Sequence, residues 1–216
     1  MVLKEKVYHA IKERIINGEY KPGEPLNEKE ITEELNVSRT PFREAINALD
    51  KENLVQIYAN RGIFVREFTA RDLADNFEIR FLLEPYVSKL VCRCIPKAVV
   101  QDLIDRGQAA LNGSFQDMLS EDLGYHQTTL RYVDNRQLVD MMVSLYEQNK
   151  IQVAMYDHAE SGRVSEARKH GAEESIREHM NILEHMLNGD EEGAYQSTQQ
   201  HLLEAQRRAM TLPARI

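Results

Sequence analysis

From about Asp72 onward the sequence keeps one rhythm, with apolar residues recurring every three to four positions through segments 72–93, 97–111, 115–133, 136–158, 166–188 and 191–210. That is the helical period, and it excludes a sheet-built core for the larger part of the chain. Pro96, Asn112-Gly113, Asp134-Asn135, Ser161-Gly162 and Gly189 separate the segments. The expectation is an all-α bundle of about six helices. The first seventy or so residues are punctuated differently. Residues 5–17 set Val7, Ala10, Ile11 and Ile15 near one helical face and end at Asn17-Gly18, a helix-stop signal. Tyr20-Lys21-Pro22-Gly23-Glu24-Pro25 is a turn-rich stretch. Asn27, with Glu30 three residues later, predicts the start of a helix over 28–35. Ser38 predicts the cap of a third helix that carries Pro41 in its first turn and runs to about Glu52. Two short strand-like runs, 54–58 and 63–65, flank Ala59-Asn60-Arg61-Gly62, a turn with glycine where positive φ costs little. Three helices and a hairpin predict a winged helix-turn-helix, so the fold class expected is mainly α, with that domain over 1–68 and the bundle over 69–216. Residues 67–71 form the connection.

A length of 216 residues allows one large or two modest domains, and two cysteines one residue apart, Cys92 and Cys94, match neither a CxxC redox pair nor a zinc-finger ligand set. No segment has the apolar core of a signal peptide or the ~20 apolar residues of a membrane span, which points to a cytoplasmic protein. The net charge of −8 argues against nucleic acid only until it is divided along the chain. Residues 1–68 carry 11 Lys/Arg against 12 Asp/Glu, and residues 69–216 carry 16 against 23, together with His126, His158, His170, His179, His185 and His201. The acidity belongs to the second unit.

On the third helix Phe42, Ala45, Ile46 and Leu49 fall on one side, while Arg39, Arg43 and Asn47 recur at i, i+4, i+8 on another. A recognition helix needs this division, because arginine bonds guanine O6 and N7 bidentately and asparagine pairs with adenine. Thr40, beside the helix start, is placed to bind a phosphate or a base edge, and Arg61 with Gly62 forms a wing tip able to approach the minor groove or backbone. In the second unit, Asp122 and His126 lie one helical turn apart. His179 and His201 are equidistant from residue 190, so a helical hairpin folded at Asn188-Gly189-Asp190 brings them level. One carboxylate and three imidazoles from three helices suit a first-row divalent ion; Zn²⁺ is the first expectation, Ni²⁺ or Mn²⁺ the others. His158, His170 and His185 have no comparable geometry.

The segment Val37-Ser38-Arg39-Thr40-Pro41-Phe42-Arg43-Glu44-Ala45 resembles the recognition-helix motif of the GntR family of bacterial transcriptional regulators, and Gly18-Glu19-Tyr20-Lys21-Pro22-Gly23-Glu24-Pro25-Leu26 and Asn60-Arg61-Gly62-Ile63-Phe64-Val65 resemble its first turn and wing. The resemblance implies DNA contacts at Arg39, Thr40, Arg43 and Gly62. It also implicates Lys29, where the family commonly has Arg; a lysine there offers a point charge suited to phosphate rather than a fork suited to a base. Further on, Arg80-Phe81-Leu82-Leu83-Glu84, Asp122-Leu123-Gly124-Tyr125-His126, Glu178-His179-Met180-Asn181-Ile182-Leu183 and His201-Leu202 resemble the FCD effector domain of the FadR subfamily, in its metal-binding branch. That implies Asp122, His126, His179 and His201 as ligands, Arg80 as partner of a small organic-acid effector, and a homodimer on a double-stranded operator, in most such regulators a repressor released by effector.

The alternative for Arg80 is a surface i, i+4 pair with Glu84. Pro85 predicts a kink or a fresh start in the first bundle helix. Two other functions remain open on sequence alone. One is a metal-dependent hydrolase or lyase on the Asp/His₃ set, weakened by the lack of a second carboxylate spaced as a general base. The other is a regulator whose metal is purely structural.

Overall fold

The computed structural model describes residues 2–16, 19–157 and 166–210. These divide into two compact units, residues 2–73 with 146–157, and residues 74–145 with 166–210. The helix stop at Asn17-Gly18, His158 and the break at Ser161-Gly162 lie outside the described residues.

The first unit contains α1 (Leu3–Ile16), β1 (Pro25–Leu26), α2 (Glu28–Leu35), α3 (Arg39–Lys51), β2 (Val55–Tyr58) and β3 (Gly62–Val65). Its core joins Val7, Ile11 and Ile15 of α1 to Phe42, Ile46 and Leu49 of α3, all essentially inaccessible to solvent. Each large side chain so buried contributes about 1.5–3 kcal/mol. α2 begins as the sequence predicts: Asn27 Oδ1 accepts from the Lys29 and Glu30 backbone N–H groups at 3.0 and 3.3 Å, and Asn27 Nδ2 donates to Glu30 at 2.7 Å. The cap expected of Ser38 is not made. Ser38 occupies the position before α3 with an extended backbone, but its hydroxyl makes no capping bond. The sheet order is β1-β3-β2, all antiparallel, with Leu26 opposite Ile63 and Gln56 opposite Phe64. β1 is not foreseen in the sequence, because two residues are too few to display an alternation and only β3 gives them a partner. The wing turns on two residues with left-handed backbones, Asn60 (φ 60°) and Gly62 (φ 109°); at 109° a side chain at position 62 would be strained.

The second unit is built from α4 (Ala70–Cys94), α5 (Lys97–Leu111), α6 (Phe115–Leu130), the start of α7 (Arg136–Asp157), α8 (Glu166–Asn188) and α9 (Glu191–Met210). Phe77, Leu103, Met118, Met142, Ile176 and Ile182 are its largest fully buried side chains. Two boundaries depart from the sequence reading. α6 ends at Leu130, and residues 131–133 close it with successive backbone bonds back to Thr128, Thr129 and Leu130. α4 runs unbroken through Pro85, where a kink or restart was expected. Proline removes one backbone donor, but Glu84, Pro85, Val87 and Ser88 are all buried at this point, so packing holds the helix across the gap. The α8–α9 turn is set by Gly189 (φ 70°) and by Asp190, which accepts from the Gly193 backbone at 2.9 Å and faces His185 Nδ1 at 2.8 Å.

Candidate functional site

Two groups of side chains stand out, one in each unit. In the first unit Arg39, Thr40, Arg43 and Asn47 are all exposed, and their helix turns Phe42, Ala45, Ile46 and Leu49 inward. Lys29 on α2, and Arg61 and Gly62 at the wing tip, are also exposed. Arg39 Nε lies 3.4 Å from Glu28 Oε1, and Lys29 lies 4.0 Å from Glu33. Exposed pairs of this kind are worth little and exchange readily for a phosphate. Phe64 meets Tyr58 edge to face at 5.6 Å and stiffens the hairpin behind the tip.

In the second unit the hairpin at Gly189 brings His179 of α8 and His201 of α9 together, Nε2 to Nε2 at 3.3 Å. Asp122 and His126 of α6 approach His179: ligand atoms of these three, without His201, all lie within 4.8 Å of one another, and Asp122 Oδ1 is 3.5 Å from Nδ1, the His179 nitrogen that does not face His201. All three rings are buried. Burial pulls the His126 pKa below its ordinary value against the opposing pull of Glu84 and Asp122. Burial, reinforced by the neighbouring His201 and His126, drives that of His179 further down. These two rings are therefore neutral at pH 7 and offer lone pairs.

Four residues to which the sequence reading assigns no ligand or orienting role hold these rings in place. Glu178 Oε2 accepts from His201 Nδ1 at 2.7 Å, and Arg208 grips the same carboxylate with two bonds of 2.6 Å. Burial raises the Glu178 pKa, but Arg208 and His201 outweigh it and hold the carboxyl below its usual range. With a proton on Nδ1, His201 aims its Nε2 lone pair at the cluster. Tyr125 stacks on His179 with ring centroids 4.0 Å apart, and Ser175 donates to Asp122 at 2.8 Å. The mirror rule that pairs 179 with 201 about residue 190 sets Glu178 opposite Leu202, so it brings Glu178 to within one residue of His201 without singling it out. Ser175 and Tyr125 carry no signal in the sequence.

Arg80 and Glu84 form the i, i+4 pair on α4, but not at the surface: their side chains are 3 and 5 % exposed, with Arg80 Nε 2.9 Å from Glu84. Glu84 also lies 3.9 Å from His126 Nδ1. Burial pushes the Glu84 carboxyl up, and Arg80, with His126 and His201, together outweigh it, leaving the pKa lowered. His170 forms an exposed pair with Glu174, and His185 belongs to the α8–α9 turn.

The spacing of His179 and His201 fits two ligands to one divalent ion. Two nitrogens ~2.1 Å from one ion and 3.3 Å apart subtend an angle of about 104°, close to tetrahedral. The other ring nitrogen, His179 Nδ1, is buried without a hydrogen bond, 3.5 Å from Asp122 Oδ1; a buried orphan of this kind costs ~1–3 kcal/mol. Beside His179, Leu103, Gly107, Glu121, Tyr125 and Met180 line a cavity of about 10 Å³, room for about one water.

Among the described residues no helix is long and apolar enough to cross a membrane. Residues 3–65 match the model of the bacterial regulatory proteins, gntR family, and residues 75–204 match that of the FCD domain. The Nta operon transcriptional regulator of Aminobacter aminovorans is 32% identical over 153 residues, 69% of this chain and 72% of that protein. The HTH-type transcriptional repressor RspR of Escherichia coli is 24% identical over 205 residues, 93% of this chain and 86% of that protein. Among solved structures, E. coli McbR/YncC superposes with a TM-score of 0.74 at 20% identity over 97% of this chain and 98% of that one; at that identity the likeness is one of fold. These families and named relatives are transcriptional regulators and not enzymes, so the hydrolase or lyase reading falls. In keeping with this, Glu84, a carboxylate buried beside His126, is committed to Arg80 rather than placed as a base. A winged helix that exposes an Arg/Arg/Asn stripe, followed by a helical unit with a buried histidine cluster, is thus accounted for by descent: the chain belongs to the gntR family of bacterial regulatory proteins and carries an FCD domain.

Proposed function

We propose that the chain is a cytoplasmic, homodimeric, ligand-responsive regulator, acting as a repressor, in which residues 1–68 read DNA and residues 69–216 sense a small organic acid beside a bound divalent metal. In this reading Arg39, Arg43 and Asn47 contact base edges in the major groove, Thr40 and Lys29 contact phosphate, and Arg61 with Gly62 follows the wing to the minor groove. Two copies are required because one recognition helix spans too few base pairs to single out an operator. A two-fold protein then implies a pseudo-palindromic site.

The observation that carries the sensor is the meeting of the His179 and His201 Nε2 atoms at 3.3 Å, with the other nitrogen of His201 held by Glu178. A carboxylate that orients a ligand histidine is the ordinary companion of a metal site. Asp122, His126, His179 and His201 would hold the ion, with Zn²⁺ the first candidate for a donor set of three nitrogens and one oxygen, and Ni²⁺ or Mn²⁺ the others. The surrounding charges argue for an anionic ligand. Asp122, Glu84 and Glu178 against Arg80 and Arg208 leave one net negative charge, and a divalent ion reverses it to one positive. Arg80 would then share its guanidinium between Glu84 and the effector carboxylate. Effector and operator are coupled to the extent that the arrangements of the sensor with and without the acid differ in affinity for each.

Two measurements test this. In a thermal-shift screen of small carboxylates on metal-loaded and on chelated protein, certain acids should raise the melting temperature only in the loaded form. If chelation leaves the melting curve unchanged and no acid shifts it, the sensor as described is wrong. An acid that acts equally without metal would remove the metal from the ligand site. Glu178→Ala should weaken metal affinity about 10- to 100-fold by releasing His201, read by competition with a chromophoric chelator; wild-type affinity in that variant would show that Glu178 orients nothing.

A further inference from the structure

α4 exposes a row of large apolar side chains: Ile79, Leu82 and Tyr86 are 41, 72 and 50 % exposed among the described residues. At 100° per residue they lie on one face of the helix, and Asp75, Glu78, Lys89 and Arg93 fall on that same face, all within an arc of about 100°. Read along α4 from its N-terminus, the face is acidic, then apolar, then basic, over about 27 Å at 1.5 Å per residue. Such a surface complements itself in one arrangement only. Two copies laid antiparallel put the acidic end of each against the basic end of the other, while a parallel pair would set like charges together.

We propose that this face of α4 is the two-fold contact between two copies of the chain, centred on Leu82; the proposal rests on the dimeric reading above and names the surface that makes the dimer. Asp75 and Lys89 each stand seven residues from Leu82, so Asp75 of one copy lies beside Lys89 of the other. Within one chain Lys89 and Arg93 reach Glu192 at 3.2 Å and Glu191 at 2.8 Å. Those pairs are solvent-exposed and rearrange at little cost. Leu82 lies on the axis and meets its own counterpart. Exposed apolar rows of this size on a regulator mark a contact surface rather than a solvated one.

The test uses full-length protein in sedimentation equilibrium. Wild type should be dimeric, and Leu82→Arg, which sets two arginines against each other on the axis, should raise the dimer dissociation constant at least 100-fold. Leu203→Arg, an exposed apolar position on α9, should leave it unchanged. As a second reading, Leu82→Cys in a Cys94→Ser background should form a chain-to-chain disulfide under mild oxidation, and Leu203→Cys should not. A Leu82→Arg protein that dimerises like wild type, or a dimeric Leu82→Cys protein that fails to cross-link, overturns the α4 contact while leaving the dimer standing. A wild type that stays monomeric at every concentration overturns the dimeric reading itself.

Discussion

Replacing Arg39 and Arg43 together by alanine is expected to lower operator affinity by about 2–6 kcal/mol, roughly 30-fold to more than 10⁴-fold, because each arginine placed for a bidentate guanine contact contributes ~1–3 kcal/mol of discrimination. Both side chains are exposed on α3, so the melting temperature should barely move; exposed changes of this kind stay within about 0.5 kcal/mol. Affinity for random DNA should fall much less than affinity for the operator, since phosphate contacts through Lys29 and the wing remain. A fluorescence-anisotropy titration of both duplexes at fixed salt reads all three quantities. Operator binding unchanged in the double variant would mean that the stripe on α3 does not read bases.

The second large effect is on stability. Glu84→Ala leaves the Arg80 guanidinium buried beside His126 without its carboxylate, and breaking a buried pair in this way costs about 3–5 kcal/mol. The melting temperature of the C-terminal unit should fall by roughly 10–20 °C. The measurement belongs in chelated protein, so that no bound ion contributes. The double change Arg80→Leu with Glu84→Leu should recover most of the loss, because it removes both charges from an interior in which the pair itself is close to neutral in free energy. If Glu84→Ala unfolds no earlier than wild type, then Arg80 reaches another partner or solvent in the folded protein. A double variant as unstable as the single one would mean that Glu84 acts through packing and not through charge.

These two experiments fall on opposite sides of a division in what the sequence conveys. The stripe of Arg39, Arg43 and Asn47 is legible from spacing alone, because a single helix fixes which residues share a face once its period is known. The same holds for the helix boundaries, where Asn27, Gly189 and Pro96 act within one turn of the chain. It holds also for the level pairing of His179 with His201, which needs only a helical hairpin and the position of its turn. Ser38 and Pro85 are the instructive departures. Ser38 has the right identity for a cap and makes no capping bond, and Pro85 removes a hydrogen bond without ending α4. At Pro85 a local preference worth about 3 kcal/mol yields to packing against residues distant in sequence; the missing cap at exposed Ser38 has no such partner to account for it.

What tertiary structure alone decides is burial and charge compensation. On sequence grounds Arg80 and Glu84 are an i, i+4 pair like many on exposed helices. Only the packing of α4 within the second unit turns them into a buried ion pair next to His126. Arg208 is one of several arginines near the end of the chain until the α8–α9 hairpin sets it on Glu178, 30 residues away, and through Glu178 on His201. Helical period propagates along the chain and can be read from it. Dielectric environment depends on every element that closes over a group, so it appears only when the helices are assembled.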